Sequence, residues 1–168
     1  MPAKELIKAT LQLPCSVVIA SAAAEKSRDA MTATAMYVSQ VPPLLVVSIS
    51  KNDATYQLIE KSKEFAINVI SDKQLDLSKK FGSVHGAKVD KFKKFGVTTQ
   101  KASKVSAPLI SGCYAHFECH VKSALWEVEG NHAIYVAEVK AFKINAKLKP
   151  MVWLNNKYFE VGAQCHLK

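Results

Sequence analysis

The chain has 168 residues, 49% of them apolar, and a formal net charge of +9. A chain of this length and apolar content is expected to form one globular domain spanning residues 1–168 with a sizeable core. No apolar run approaches the roughly 20 residues needed to cross a bilayer, so the composition argues against a membrane-spanning protein.

The N-terminal segment superficially resembles a secretory signal, because Lys4 and Lys8 precede the apolar run LPCSVVIASAAA. Glu5 interrupts the basic part and Pro14 interrupts the apolar part, and few strongly hydrophobic residues come before the alanines. We therefore predict that this segment is not a cleaved signal and that Cys15–Ala20 forms a first buried strand.

The cysteines are even in number but lack the dense spacing of a disulfide framework. They are Cys15, Cys113, Cys119 and Cys165. This pattern predicts reduced thiols in a cytoplasmic protein.

Short segments rich in Val, Ile and aromatic residues recur along the chain and indicate a mainly β structure. The predicted strands are Cys15–Ala20, Met31–Met36, Leu44–Ser50, Phe65–Ile70, Tyr114–Leu125, His132–Phe142 and Met151–Trp153. The predicted helices are Ala54–Lys63, Gln74–Phe81 and a turn at Lys91–Phe95. Many strands with two or three helices predict a β-barrel with peripheral helices rather than a doubly wound sheet.

Side chains alternate clearly in the predicted strand Tyr114–Leu125. The side chains predicted to share one face are Phe117, Cys119, Val121 and Leu125, and those predicted to share the other are His116, Glu118, His120 and Lys122. Val128–Asn131 then predicts a turn at Gly130 into the next long strand, so the two strands are expected to form a hairpin.

The strand Met31–Met36 begins with small and hydroxyl-bearing residues, as the sequence MTATA. Small side chains would let a planar ligand lie close to the strand, and hydroxyl or backbone groups would bond its polar edges. The same residues also suit an ordinary strand whose threonines face water, and local sequence alone leaves both interpretations open.

The predicted strand Leu44–Ser50 is followed by Lys51, just before the start of a predicted helix. Unpaired N–H groups and the positive end of the helix dipole favour an anion there. The hydroxyls of Ser50 and Thr55 would supply further donors. Asp53 fits this interpretation poorly, because its carboxylate would cap the helix and repel a phosphate. An ordinary capped helix is therefore the alternative.

The close spacing of two cysteines and two histidines suggests a metal site formed by Cys113, His116, Cys119 and His120. In a strand that rises about 3.3 Å per residue, the Cα atoms of the two histidines would lie about 13 Å apart. Cys119 and His120 would also face opposite sides, so we predict no metal site.

A basic stretch runs from Lys79 to Lys104, with eight lysines against the single acid Asp90. Such a stretch suits nucleic acid, an acidic partner protein, a phosphorylated ligand or simply a solvated loop. The aromatic rings that would stack on bases under the first of these interpretations are Phe81, Phe92 and Phe95.

His132 follows the turn at Gly130. A lone histidine there is either simply exposed or in contact with a ligand at the barrel rim. Glu138, in the same apolar strand, is either on its polar face or a buried structural ion.

The order and spacing of these segments resemble the flavin reductase-like family, whose fold is the FMN-binding split barrel of Greek-key type. The resemblance covers roughly Leu13 to Gly162. Its landmarks are TATA, Val41-Pro42-Pro43-Leu44, Ser50-Lys51-Asn52-x-x-Thr55, Phe65–Ile70, Leu77-Ser78-x-x-Phe81-Gly82, Asp90-Lys91-Phe92, Ala107–Ile110, Phe117-Glu118-Cys119, Gly130-Asn131-His132 to Val139, and Lys149–Trp153 with Tyr158.

The resemblance implies a homodimer that binds FMN noncovalently, often near the subunit boundary. The positions that it implies for cofactor binding are Met31, Thr32, Ala33, Thr34, Ser48, Ile49, Ser50, Lys51, Asn52, Thr55, Phe81 and Gly82. Among these, Thr32–Thr34 would lie against the flavin ring, and Lys51, Asn52 and Thr55 would hold the phosphate. His132 matches a position that meets the nicotinamide in some members and is the implied catalytic residue.

The activity that the resemblance implies is an NAD(P)H-dependent reductase passing electrons through flavin to free flavin, a ferric complex or a redox partner. Asn131 stands where the family commonly has aspartate, and Lys157 near where it commonly has arginine. A second hypothesis is a flavoredoxin-like electron carrier that does not oxidise NADH or NADPH and docks an acidic redox protein through Lys79–Lys104. A third is a basic nucleic-acid-binding barrel.

Overall fold

The structure is a computed structural model and describes residues 3–84, 89–125 and 130–163. The helices are α1 (Ala3–Thr10), α2 (Ala54–Ser62), α3 (Leu75–Gly82) and α4 (Lys91–Lys94). The strands are β1 (Cys15–Ser16), β2 (Val18–Ala24), β3 (Ser27–Ser39), β4 (Leu44–Ser50), β5 (Glu64–Val69), β6 (Thr99–Gln100), β7 (Leu109–Ile110), β8 (Ala115–Leu125), β9 (His132–Ile144), β10 (Met151–Leu154) and β11 (Lys157–Glu160).

Six strands close into an antiparallel barrel in the order β2-β3-β4-β9-β8-β5. A small sheet, β1-β10-β11, and a ribbon, β6-β7, lie outside it. The predicted mainly β fold with peripheral helices is therefore confirmed. Within the described residues, none of the helices is long and apolar enough to span a membrane.

Alternate residues of the barrel strands fill its interior, as the period of two requires. The largest contributions come from Ile49, Phe65, Ile67 and Tyr135, each at most 1% exposed. The opposite face of β2 is also buried, because Ile19 packs with α3, α4 and the small sheet in a second cluster. Burial on both faces explains why the chain reads as a continuous apolar run at β2.

Segment 99–111, called the strap below, is fastened to the outer face of the barrel by carboxylates. Glu118 on β8 accepts hydrogen bonds from the Ser103 N–H at 2.9 Å and from the Lys104 N–H. Glu64 on β5 accepts from the N–H and the hydroxyl of Ser106. Burial acts to raise the pKa of Glu118, but the strap N–H donors and the Ser103 hydroxyl hold it below its usual value.

Several boundaries differ from those predicted. The first predicted strand divides at Val17 into β1 and β2, which belong to different sheets, and α1 was not predicted. The prediction that Leu125 shares the face of Val121 is wrong, because a β-bulge between Val121 and Ser123 reverses the alternation. Ala124 packs against the core instead, and Leu125 is 55% exposed. The predicted turn from Val128 lies partly outside the described residues.

Candidate functional site

Two adjoining clefts lie along β3, with volumes of about 250 and 360 Å³. The first is lined by Ser16, Val17, Met31, Thr32, Ala33, Thr34, Ser48, His132, Trp153 and Tyr158. The second is lined by Met31, Thr32, Ser50, Asn52, Asp53, Phe81, Gly82, Asn131 and His132. They share three residues, Met31, Thr32 and His132, and so form one continuous surface.

Strand register brings these residues together from distant parts of the chain. Thr34 on β3 pairs with Ser48 on β4, and Ser50 at the end of β4 pairs with His132 at the start of β9. The Lys51 N–H donates to the Asn131 carbonyl at 2.9 Å, which extends this pairing beyond the strand end. The barrel thus holds the start of β9 beside the end of β4.

Helix α3 closes one side of the site by packing directly on β3. The Thr32 hydroxyl donates to the Ser78 carbonyl at 2.6 Å. A Cβ placed on Gly82 would lie 3.6 Å from the Thr32 side chain, so the end of the helix sits close to the strand. Phe81 is almost fully buried beneath it.

His132 is exposed at the junction of the two clefts. Its Nδ1 lies 2.7 Å from the Asn131 side-chain oxygen. An amide oxygen only accepts, so Nδ1–H is the donor in this pair. Lys51 Nζ lies 3.5 Å from the Gly130 carbonyl in the same corner.

An aromatic wall on the first cleft was not among the predicted site residues. Trp153 on β10 and Tyr158 on β11 face the cleft from the small sheet, together with Ser16 of β1. The Tyr158 hydroxyl lies 3.5 Å from the Ser78 hydroxyl, which links this sheet to α3. The signal in the sequence was the last landmark of the family resemblance, Lys149–Trp153 with Tyr158.

Three predicted site residues do not line either cleft: Ile49, Lys51 and Thr55. The side chain of Ile49 is fully buried in the barrel core. Thr55 is also fully buried, and both its N–H and its hydroxyl donate to Asp29 Oδ2, at 3.1 and 2.7 Å. The amide at the start of α2 that was expected to meet an anionic ligand is therefore occupied by a carboxylate of the chain itself.

Asp53 occupies the N-cap position of α2, and its carboxylate points toward a lysine that the sequence did not connect with it. Lys91 Nζ from α4 lies 3.6 Å from Asp53 Oδ1 and 3.1 Å from Asp29 Oδ2. All three side chains are at most 4% exposed. The cleft wall at Asp53 is thus backed by a buried cation.

The residues of the metal hypothesis have separate surroundings and do not converge on a shared site. His116 is buried with Nε2 2.7 Å from the Ile110 carbonyl oxygen, and burial lowers the pKa of its ring. Cys119 lies in the barrel core, and burial raises the pKa of its thiol to about 12. In the part of the chain that the structure describes, no group of three or more His, Cys, Asp or Glu could hold a metal ion.

Two of the three aromatic residues proposed to stack on bases are packed in the interior, and the third, Phe95, is half-buried. Phe81 and Phe92 are each 1% exposed, and Phe81 makes edge contacts with both Phe92 and Phe95. The burial of Phe81 and Phe92 argues against the base-stacking surface of the nucleic-acid hypothesis. Lys91, one of the eight lysines of the basic stretch, is buried and adds nothing to the surface charge.

The cleft suits a flat ligand with a polar end. Small side chains and backbone of β3 form one wall, Trp153 and Tyr158 form another, and Ser50 and Asn52 lie at the far end. Apolar clefts with a few placed polar groups are typical small-molecule sites.

Solved structures with the same fold include a Streptomyces globisporus protein described as the NADH:FAD oxidoreductase SgcE6. It is 23% identical, with a TM-score of 0.85 over 97% of this chain and 96% of that one. Flavoredoxin of Desulfovibrio vulgaris is 20% identical, with a TM-score of 0.84 over 94% of this chain and 92% of that one. The barrel described above is therefore the split barrel of these proteins.

Sequence relatives point the same way. A Rhizobium meliloti protein named probable flavin reductase is 31% identical over 144 residues, covering 86% of this chain and 43% of the relative. The chain spans about half the length of the curated relatives that it matches at 30 to 36% identity. The model of the flavin reductase like domain matches residues 10–162. With the match extending over nearly the whole sequence, this chain belongs to the flavin reductase-like family.

Proposed function

We propose that this chain binds FMN noncovalently in the continuous cleft along β3 and oxidises NADH or NADPH, passing the electrons through the flavin to an acceptor. The acceptor is free flavin, a ferric complex or a redox partner. The observation that carries the proposal is the cleft itself, which joins a flat wall at Met31–Thr34 to a polar end at Ser50 and Asn52. It lies in a chain of the flavin reductase-like family.

The residues present fit such a cofactor. The close packing of Gly82 on Thr32 leaves a smooth wall for a ring system, and Ser48 and Ser50 supply hydroxyls along its edge. Lys51 and Asn52 follow at the end of β4, where a cation and an amide donor suit a phosphate. Thr55 contributes indirectly, since its hydroxyl is committed to Asp29.

FMN, when bound, supplies the electron chemistry, and the protein supplies position and electrostatics. Thr32–Thr34 orient the ring against β3, and Trp153 and Tyr158 restrict the access of water from the other side. His132, held by Asn131, offers a hydrogen-bonding group at the junction where a nicotinamide would enter. No side chain of the site has to act as a nucleophile.

A homodimer forms part of the proposal because apolar residues continue from the cleft onto the outer face of the barrel. Met36, Val46 and Val136 lie side by side in one row of the register. The neighbouring row contains Thr34, Ser48, Ile134 and Leu125. Two of these, Thr34 and Ser48, also line the first cleft. Exposed apolar patches of this kind are typical of protein interfaces, so a second copy would cover this face and border the site.

The test of the proposal is spectroscopic. Purified protein is titrated with FMN while flavin fluorescence is followed, and the complex is then mixed anaerobically with NADH or NADPH. We expect quenching on binding and loss of the flavin absorbance near its visible maximum on addition of the nucleotide. Protein that neither quenches FMN fluorescence nor holds FMN through gel filtration would contradict the proposal.

A second candidate function is electron transfer without oxidation of NADH or NADPH. It is favoured by the exposed Lys79 and Lys80 on α3 and Lys93 and Lys94 on α4, since α3 ends at the cleft. A basic surface beside the flavin would dock an acidic redox protein and would do so less well at high salt. Rapid bleaching by NADH or NADPH excludes this candidate, because a pure carrier would not accept electrons from either at a useful rate.

We propose that the protein is cytoplasmic, because the cysteines that the structure describes are not joined in disulfides. Cys15, Cys113 and Cys119 are free cysteines, and burial raises the pKa of the Cys113 thiol to about 12. Reduced thiols of this kind are typical of reducing compartments. Cys165 lies outside the described residues.

A further inference from the structure

The buried Lys91 is the least expected charge in the molecule. It belongs to α4 and is 0% exposed, yet its Nζ lies within 3.1 Å of Asp29 Oδ2 and 2.8 Å of the Ala30 carbonyl. Buried charges are costly unless they are paired and hydrogen-bonded. Two acceptors therefore hydrogen-bond the ammonium, and Asp53 Oδ1 at 3.6 Å adds a second ion pair.

A second ion pair anchors the same helix to the same strand. Asp90 caps α4 by accepting from the N–H groups of Phe92 and Lys93, and it pairs with Arg28 at 3.2 Å. The consecutive pairs Arg28–Asp90 and Asp29–Lys91 therefore hold α4 against the start of β3. This arrangement fixes where the Lys91 charge lies.

The charge lies directly behind the polar end of the cleft. Asp53 is among the residues that line the cleft beside Asn52 and Ser50, and its buried carboxylate lies behind the wall where a phosphate is proposed to bind. A phosphate monoester carries a charge of about −1.5 to −2 at neutral pH, so an uncompensated carboxylate there would repel it. Asp29 adds a further negative charge while it accepts from Thr55.

We propose that Lys91 is a positioning residue for the phosphate end of the cofactor. Its ammonium offsets the charge of Asp53 and, through Asp29 and Thr55, holds the start of α2 so that Lys51 and Asn52 can bind the phosphate. This inference rests on the proposed binding of FMN in the cleft. It also gives Asp53 a role, because the lysine makes an acidic residue tolerable at an anion site.

The competing explanation is that Lys91 merely stabilises the fold. A purely structural lysine would affect FMN and riboflavin equally, since the two ligands differ only in the phosphate. The positioning role instead predicts a change in the ratio of their dissociation constants. That ratio is unaffected by a general loss of folded protein.

The experiment measures the dissociation constants of FMN and riboflavin by flavin fluorescence quenching for wild type, Lys91→Met, Asp53→Asn and the double variant. For Lys91→Met we expect the FMN-to-riboflavin ratio to rise about fivefold or more, because the carboxylates of Asp29 and Asp53 behind the cleft wall then lose the ammonium that offsets their charge. The double variant should return the ratio to within about twofold of wild type. Asp53→Asn alone should lower it about threefold, since the ammonium is retained and one repulsive charge is gone.

The outcomes separate the two explanations. Equal weakening of both ligands in Lys91→Met, or no rescue in the double variant, overturns the positioning role. If Lys91→Met fails to fold, Asp53→Asn decides, and an unchanged ratio in that variant overturns the inference. Wild-type protein that binds riboflavin as tightly as FMN overturns the phosphate role alone, whereas wild type that binds neither ligand overturns the proposed function as well.

Discussion

At the scale of single residues, two threonines of one strand have different surroundings. Thr32 donates its hydroxyl to the Ser78 carbonyl and so joins β3 to α3, whereas Thr34 is exposed on the cleft wall. The first hydroxyl is part of the internal hydrogen bonding of the fold. The second is available to a ligand.

Valine in place of each threonine should separate these roles. Thr32→Val should lower the free energy of unfolding by about 1 kcal/mol or more, because the Ser78 carbonyl loses its donor. Thr34→Val should leave unfolding in urea unchanged and weaken FMN binding by about two- to tenfold. Equal effects of the two substitutions on stability would contradict the assignment.

His132 is expected to act on the reductive step rather than on cofactor binding. His132→Ala should slow bleaching of bound FMN by NADH about tenfold and change the FMN dissociation constant by less than about threefold. His120→Ala is a matched control, because His120 contacts the Lys104 carbonyl on the strap, outside the cleft. A large loss of FMN affinity in His132→Ala would instead assign the residue to binding.

The start of α2 shows how far local sequence reasoning reaches at this scale. The motif from Ser50 to Thr55 correctly predicts a helix that begins at Ala54. The partner of the Thr55 hydroxyl is Asp29, 26 positions away. Asp29 is in turn paired with Lys91, 62 positions further along the chain, and the same lysine lies near Asp53. Contacts between residues so far apart in the sequence depend on the packing of α4 on β3. The local sequence around Ser50–Thr55 contains no sign of them.

At the scale of elements, the strap depends on charge. Glu118 accepts hydrogen bonds from consecutive strap residues, and the pKa of its carboxyl is held below the usual value in the folded state. A carboxyl with a depressed folded pKa stabilises the fold above its unfolded pKa, and this stability is lost as the pH falls through the folded pKa.

Glu118→Gln should therefore lower the free energy of unfolding at pH 7 by about 1–3 kcal/mol, because the amide NH₂ opposes the strap donors. The difference between wild type and variant should shrink as the pH is lowered below the usual glutamate range, where the wild-type carboxylate is protonated. Urea unfolding at several pH values measures both effects. Glu138→Gln, which removes the pairs of a half-buried carboxylate with Lys122 and Lys140, should show a smaller change, because the two lysines reach solvent and their pairs are screened. A difference that grows in acid would contradict this explanation.

Strands were predicted well where turn residues mark both of their ends. They were predicted poorly where their geometry depends on the strand with which they pair. Strands such as Leu44–Ser50 were predicted at their observed bounds, because both ends are marked by turn residues. The bulge that exposes Leu125 is created by the pairing of β8 with β9, so it leaves no trace in the alternation of β8 alone. The helix α1 was not predicted, and its residues 4–10 are exposed.

At the scale of the whole molecule, barrel closure brings together residues that the sequence separates. The cleft draws on β3, β4, the start of β9, α3 and the small sheet, and its aromatic wall comes from the last strands of the chain. The resemblance to a family predicted the β3 and β4 parts. Trp153 and Tyr158 were not assigned, because their approach to β3 depends on the pairing of β1 with β10.

The apolar residues on the outer face of the barrel predict that the chain forms a dimer. Met36, which shares a row with Val46 and Val136, is 65% exposed, and Val41 in the loop after β3 is 91% exposed. If a second copy covers this face, wild type should sediment as a dimer and Met36→Lys should sediment as a monomer, because burying an unpaired ammonium is costly.

The same substitution tests whether the interface completes the site. Since the face continues into Thr34 and Ser48, Met36→Lys should also weaken FMN binding about tenfold, although residue 36 lies outside both clefts. Phe142→Lys changes an equally exposed apolar residue at the far end of β9 and should leave both the dimer and FMN affinity intact. A monomeric wild type that binds FMN fully would show that one chain suffices for the site, whereas loss of dimer and cofactor together would place the ring at the boundary between two copies.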